Sequence, residues 1–276
     1  MDETGVQALL AEITAEFAAL PEVVAVVVAG SRVGELGDDR SDIDLYVYAE
    51  PEPAEAWRAG LLSRKFGERA SIGNHFWETG DEGIAPWTNT VVDIMYRSPG
   101  WIETQLDRVW TQHQASVGYS TCFVYNVLHS KLLFDRAGWF ASLQAKAAQP
   151  YPEPLRRAIV AKNHPILRNT LSSYTHQIAV ALGRNDQVSV NHRISALLAS
   201  YFDILFAVNR LPHPGEKRLI AHVQDHCPKR PPEFQTQVEE LLQAAAPSQR
   251  SDTLEKVNGL LDSLDALLLA EGLITR

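Results

Sequence analysis

The feature that most constrains this chain of 276 residues is the stretch from Val23 to Tyr48. An unbroken Val/Ala run ends in Gly30-Ser31, ten residues follow (Arg32 to Ser41), and a second apolar run opens on Asp42-Ile43-Asp44-Leu45-Tyr46-Val47-Tyr48. A β-branched run that stops at a small Gly-Ser pair reads as a buried strand ending where backbone approaches something closely. In the second strand alternate side chains share a face, which puts Asp42 and Asp44 together and Ile43, Leu45 and Val47 on the opposite, buried side.

Two like charges on one strand face repel, and a cation between them relieves the repulsion. Oxygen-only ligands favour Mg²⁺, which is usually held by one or two carboxylates together with substrate phosphates. The preceding turn suits those phosphates, because Gly30 and Ser31 offer backbone N–H groups and a hydroxyl. Ser41, next to Asp42, is a further hydroxyl donor or a turn former.

The pattern apolar-Gly-Ser, ten residues, Asp-apolar-Asp-apolar resembles the signature of the DNA polymerase β-like nucleotidyltransferases, a superfamily that includes two-domain adenylyltransferases acting on aminoglycoside and lincosamide antibiotics. A third carboxylate on a later strand belongs to that signature, and Val91-Val92-Asp93-Ile94-Met95-Tyr96 provides one. The resemblance implies a catalytic and metal-binding triad of Asp42, Asp44 and Asp93 around two Mg²⁺ ions about 3.5 to 4 Å apart. It also implies transfer of a nucleoside monophosphate, AMP from ATP or its equivalent from another NTP, to a hydroxyl of a small acceptor, an aminoglycoside-like antibiotic being one candidate. Two alternatives are modification of a partner protein, as in toxin–antitoxin or regulatory systems, and nucleotide binding without turnover. Gly30, Ser31 and Ser41 would contact the nucleotide. Lys217, after Pro214-Gly215-Glu216, resembles the lysine with which the helical domain of such enzymes holds the triphosphate.

Composition narrows the partners. A net charge of −9 and a pI near 5.5 argue against nucleic-acid binding, which rests on Lys and Arg neutralising phosphates, and favour neutral or cationic acceptors. No apolar stretch reaches the length of a membrane span. Met1-Asp2-Glu3 lacks the basic start of a signal peptide, and Cys122 and Cys227 have neither disulfide nor metal spacing, so a cytoplasmic location is expected. His222 and His226 stand at i and i+4, a spacing able to bind zinc, but no further ligands recur around them.

The periodicities predict an α+β chain: a nucleotidyltransferase domain over 1–150 with a mixed sheet of four or five strands and flanking helices, then a helical bundle over 151–276. Helices are expected over Leu9–Leu20, Ala54–Phe66 (with Arg58 outward), Trp101–Trp110 and Trp139–Ala147. Strands are expected at Ser71–Trp77 and Thr88–Tyr96, joined by a turn at Glu78–Gly83 whose acids Glu78, Asp81 and Glu82 form either an exposed turn or an anionic rim for a cationic acceptor. A short strand follows at Leu132–Phe134. The bundle is read as Leu155–Leu182 (kinked or split at Pro165), Val188–Arg210, Glu216–His226, Glu233–Ala246 and Asp252–Leu269, the last opened by an Asp252/Glu255 capping box. Asp203, acidic inside an apolar helix, is expected either to meet a cationic substrate group or to pair with Lys or Arg.

Overall fold

The computed structural model describes residues 3–29, 42–76, 78–86, 89–246 and 252–275. Gly30, Ser31 and Ser41 lie outside them. The chain is α+β and divides into two compact units, Met1–Asp107 with Phe123–Gln149, and Arg108–Cys122 with Pro150–Arg276. The segment Arg108–Cys122, expected with the first domain, therefore belongs with the helices of the second.

The first unit is built on a six-stranded sheet. Its strands are β1 (Val23–Ala29), β2 (Ile43–Ala49), β3 (Ala70–Asn74), β4 (Gly80–Ile84), β5 (Val91–Arg97) and β6 (Lys131–Asp135), in the order β3-β4-β5-β2-β1-β6. Only the β2–β5 pair is parallel; the other neighbours are antiparallel. Helices α1 (Glu3–Ala18) and α2 (Glu55–Phe66) cover one face, burying Ile13, Phe17, Leu61, Leu62 and Phe66 against Ile43, Leu45, Val47, Val92 and Ile94. Helices α3 (Pro99–Leu106), α4 (Cys122–His129) and α5 (Trp139–Ala147) follow the later strands. From α5, Trp139 and Phe140 pack their rings 5.2 and 5.5 Å from that of Tyr48, which points away from α1 and α2. At the end of β6, Asp135 accepts from the Phe140 and Ala141 amides at the start of α5, and Arg136 donates to the carbonyls of Ala18, Leu20 and Val23.

The expected turn at Glu78–Gly83 is instead mostly strand β4, and packing explains why glycine is needed there. A Cβ on Gly83 would stand 2.2 Å from the Phe66 ring, and one on Gly80 would stand 2.9 Å from the Ile94 carbonyl oxygen. Residues that signal a turn by composition here admit close approach within a sheet. Asp81 is not part of an exposed rim. It is 1% exposed and accepts from Arg58 Nη1 through both oxygens at 3.1 Å, from the Tyr96 hydroxyl at 2.8 Å and from the Gly73 amide at 2.9 Å. Arg58 is correspondingly buried rather than outward, with its guanidinium 4.4 Å from the Tyr96 ring centroid.

In the second unit, α6 (Glu153–Arg168), α7 (Tyr174–Gly183), α8 (Gln187–Val208), α9 (Leu219–His226), α10 (Phe234–Ala244) and α11 (Thr253–Ala270) share one core. Residues 200–208 of α8 are buried on every face, as a helix at the centre of a bundle must be. The first long helix breaks at 169–173 rather than at Pro165, which sits inside α6; Ser173 restarts the chain by capping α7 through the His176 amide. The capping box at the start of α11 is not formed, because Asp252 makes no side-chain cap. No described helix is long and apolar enough to cross a membrane.

Candidate active site

The parallel register of β2 and β5 sets Asp44 directly beside Asp93, followed by Tyr46 beside Met95 and Tyr48 beside Arg97. Their Cα atoms are therefore about 4.8 Å apart, the spacing of neighbouring strands. Both aspartates are half-buried and lie on the face opposite the apolar side chains Ile43, Leu45, Val92 and Ile94. Asp42 is exposed and stands one residue before β2 begins. Across the sheet, Ala29 at the end of β1 is level with Asp44, and Glu82 on β4 is level with Asp93. The strand that sequence composition hid thus brings a third half-buried acid to the same row, where Asn74 Nδ2 donates to Glu82.

Behind the carboxylates the same face carries a buried cation. Arg97 makes a two-pronged contact to Glu78, with Nε and Nη2 at 2.7 and 2.8 Å, donates to Asn126 at 3.2 Å, and lies 3.8 Å from the centroid of the Tyr46 ring. Burial raises the Tyr46 phenol above its ordinary value; Arg97 opposes the rise, and the Asp44 and Glu78 charges reinforce it. Burial likewise pushes Tyr48 up to about 12, so both tyrosines are neutral at physiological pH. Trp101 and Phe123 stand 5.0 Å apart with the guanidinium 5.6 Å from each, completing an aromatic surround. Arg97 follows Asp93 at i+4 on the same strand face, the one sequence signal that could have pointed to it.

An all-oxygen pair at one level on adjacent strands fits Mg²⁺, which takes one or two protein carboxylates and completes its shell with phosphate and water. Among the described residues no group of three or more His, Cys, Asp or Glu is arranged to hold a metal ion. His222 and His226 have ring centroids 5.9 Å apart on α9. Lys217 is exposed, two residues before α9 starts. Asp203 meets neither expectation: it is 1% exposed and is held by Ser120 and Asn163.

No protein-family model matches the chain, and no curated protein matches it. Among solved structures it is similar to a nucleotidyltransferase-like protein from Exiguobacterium sibiricum 255-15, at 13% identity and a TM-score of 0.46, over 96% of this chain and 75% of that one.

Proposed function

We propose that the protein is a Mg²⁺-dependent nucleotidyltransferase that moves a nucleoside monophosphate, AMP from ATP, onto a hydroxyl of a small molecule. The observation that carries this reading is the placement of Asp44 and Asp93 side by side on a parallel strand pair, away from the core, in a sequence where ten residues separate Gly30-Ser31 from Asp42. Asp44 and Asp93, with Asp42 from the residue before β2, would hold the cation. Bound there, Mg²⁺ supplies charge neutralisation for the phosphates and lowers the pKa of an acceptor hydroxyl.

The residues of the chain then divide the work. Gly30, Ser31 and Ser41 take the triphosphate. Asp93 receives the proton of the acceptor hydroxyl as its oxygen bonds to the α-phosphorus, and the bond from that phosphorus to the bridging oxygen breaks to release pyrophosphate. Neutral Tyr46, with Trp101 and Phe123, surrounds the Arg97–Glu78 ion pair on this face. The net charge of −9 favours a cationic acceptor, aminoglycoside-like antibiotics being one class.

The test is pyrophosphate release from ATP with and without Mg²⁺, across a panel of hydroxylated acceptors that includes aminoglycosides and lincosamides. Acceptor-dependent release is expected, reduced about 100-fold or more in Asp44→Ala and Asp93→Ala. Unchanged Mg·ATP binding in both variants would overturn the site. Labelling of a co-purified protein in place of any small acceptor would point to protein modification.

A further inference from the structure

The second unit contains a buried carboxylate that the proposed reaction does not use. Asp203 lies in the fully buried stretch of α8, where its oxygens accept from the Ser120 amide at 3.0 Å, the Ser120 hydroxyl at 2.7 Å and Asn163 Nδ2 at 3.2 Å. Asn163 in turn accepts from the Gly118 amide at 2.9 Å and donates to the Ser116 carbonyl at 3.0 Å. The Ser120 hydroxyl also receives the Ser116 amide at 3.0 Å, and Thr121 accepts the His213 amide at 2.7 Å. Through Ser120 and Asn163, the contacts that hold Ser116, Gly118 and Ser120 on this unit converge on one acid.

Among the described residues that acid has no cationic partner. The titratable groups that feel its charge are Cys122 of the same segment and Tyr151 ahead of α6, both driven towards their neutral forms by burial. Arg156 of α6 acts on Tyr151, and His213, held neutral by burial, stands 3.6 Å from the Cys122 sulfur. A charge buried with hydrogen bonds but no counter-ion is stabilised by reaching water.

We propose that Asp203 is a proton-sensitive latch, which holds the Arg108–Cys122 segment on the helical unit most firmly when protonated and lets it open more readily when ionised. Burial pushes the carboxyl up to about 6, against the Ser120 and Asn163 hydrogen bonds, which pull it down. With the folded value above the unfolded one, the latch is strongest below about pH 4, weakens as pH rises towards 6, and is level above that. The opening constant of the segment should then rise about tenfold between pH 5 and pH 7.

Hydrogen exchange at the Gly118 and Ser120 amides of the full chain, corrected for the intrinsic base-catalysed rate, measures that constant. A rise of about tenfold, flattened in Asp203→Asn, is expected, with opening constants larger than those of core amides such as Leu205. A pH-independent constant, an unchanged rise in Asp203→Asn, or opening no more frequent than at Leu205 would each overturn the latch. Should Asp203→Asn fail to fold, the ¹³C resonance of the Asp203 carboxyl in the unaltered protein decides: a midpoint near 6 supports the proposal and one below about 4.5 refutes it.

Discussion

Removing the Asp81 carboxylate should loosen the first unit strongly. In Asp81→Ala, Arg58 keeps its charge in a site where the two side chains are 3% and 0% exposed, and loses contacts to both oxygens at 3.1 Å. Breaking a buried pair from one side costs about 3–5 kcal/mol. The Tyr96 hydroxyl and the Gly73 amide lose an acceptor too, at about 1 kcal/mol or more each. Glu52, with a side chain 41% exposed and 3.2 Å from Arg58 Nη2, offsets part of this, and the net loss should be about 4 kcal/mol. Asp81→Asn retains one carbonyl acceptor and should lose about half as much.

Because the chain has two compact units, one unfolding midpoint is not a sound measure. The opening free energies of β5 amides by hydrogen exchange report the loss where it arises. A double-mutant cycle with Arg58→Ala should give a coupling of at least about 2 kcal/mol, since each single variant strands its partner. A loss under about 1 kcal/mol in Asp81→Ala, or a coupling under about 0.5 kcal/mol, would refute the claim that this pair locks the sheet.

Other expectations can be checked more simply. Gly83→Ala drives a methyl into the Phe66 ring and should lower the opening free energies of β4 and β5 amides by about 1–3 kcal/mol, with Phe66→Leu recovering part of the loss. Burial pushes half-buried Cys122 and buried Cys227 up to about 12, so at pH 8 a disulfide reagent should label the folded protein slowly and the urea-unfolded protein fast; rapid labelling of either thiol in the folded state would contradict the suppressed thiolate.

How much could be read from the sequence depends on which force shapes each element. β1 and β2 are legible because their β-branched and aromatic residues are buried along nearly their whole length, and hydrophobic burial leaves a direct trace in composition. β4 is not, because Gly80-Asp81-Glu82-Gly83 is selected by contacts with Phe66, Ile94 and Arg58, residues distant in sequence. The placement of Arg108–Cys122 was hidden for the same reason: its tie to the helices runs through Asp203 and Asn163, polar residues whose partners no local period reveals. Asp44 and Asp93 could be named as candidates, yet their pairing required the parallel register. Gly30, Ser31 and Ser41 lie outside the described residues.

That register links the lock to the site. Parallel strands cannot be joined by a tight turn, and here the chain leaves β2, passes through α2, forms the β3–β4 hairpin at the sheet edge, and returns inward as β5. Nothing in the apolar pattern of β5 alone prevents a slip of two residues, which would keep Val92, Ile94 and Tyr96 buried but slide Asp93 about 6.6 Å along the strand, to about 8 Å from Asp44. A slip of one residue would turn Asp93 into the core. Tyr96 on Asp81, Asp81 on Arg58 of α2, and Gly80 against Ile94 each hold only in the observed alignment. Asp81→Asn should therefore lower the proposed nucleotidyl transfer more than its stability loss explains, at temperatures where the protein remains folded. If transfer at such a temperature is unchanged while the β5 amides open more often, the alignment of Asp44 and Asp93 is set by the β2–β5 ladder alone.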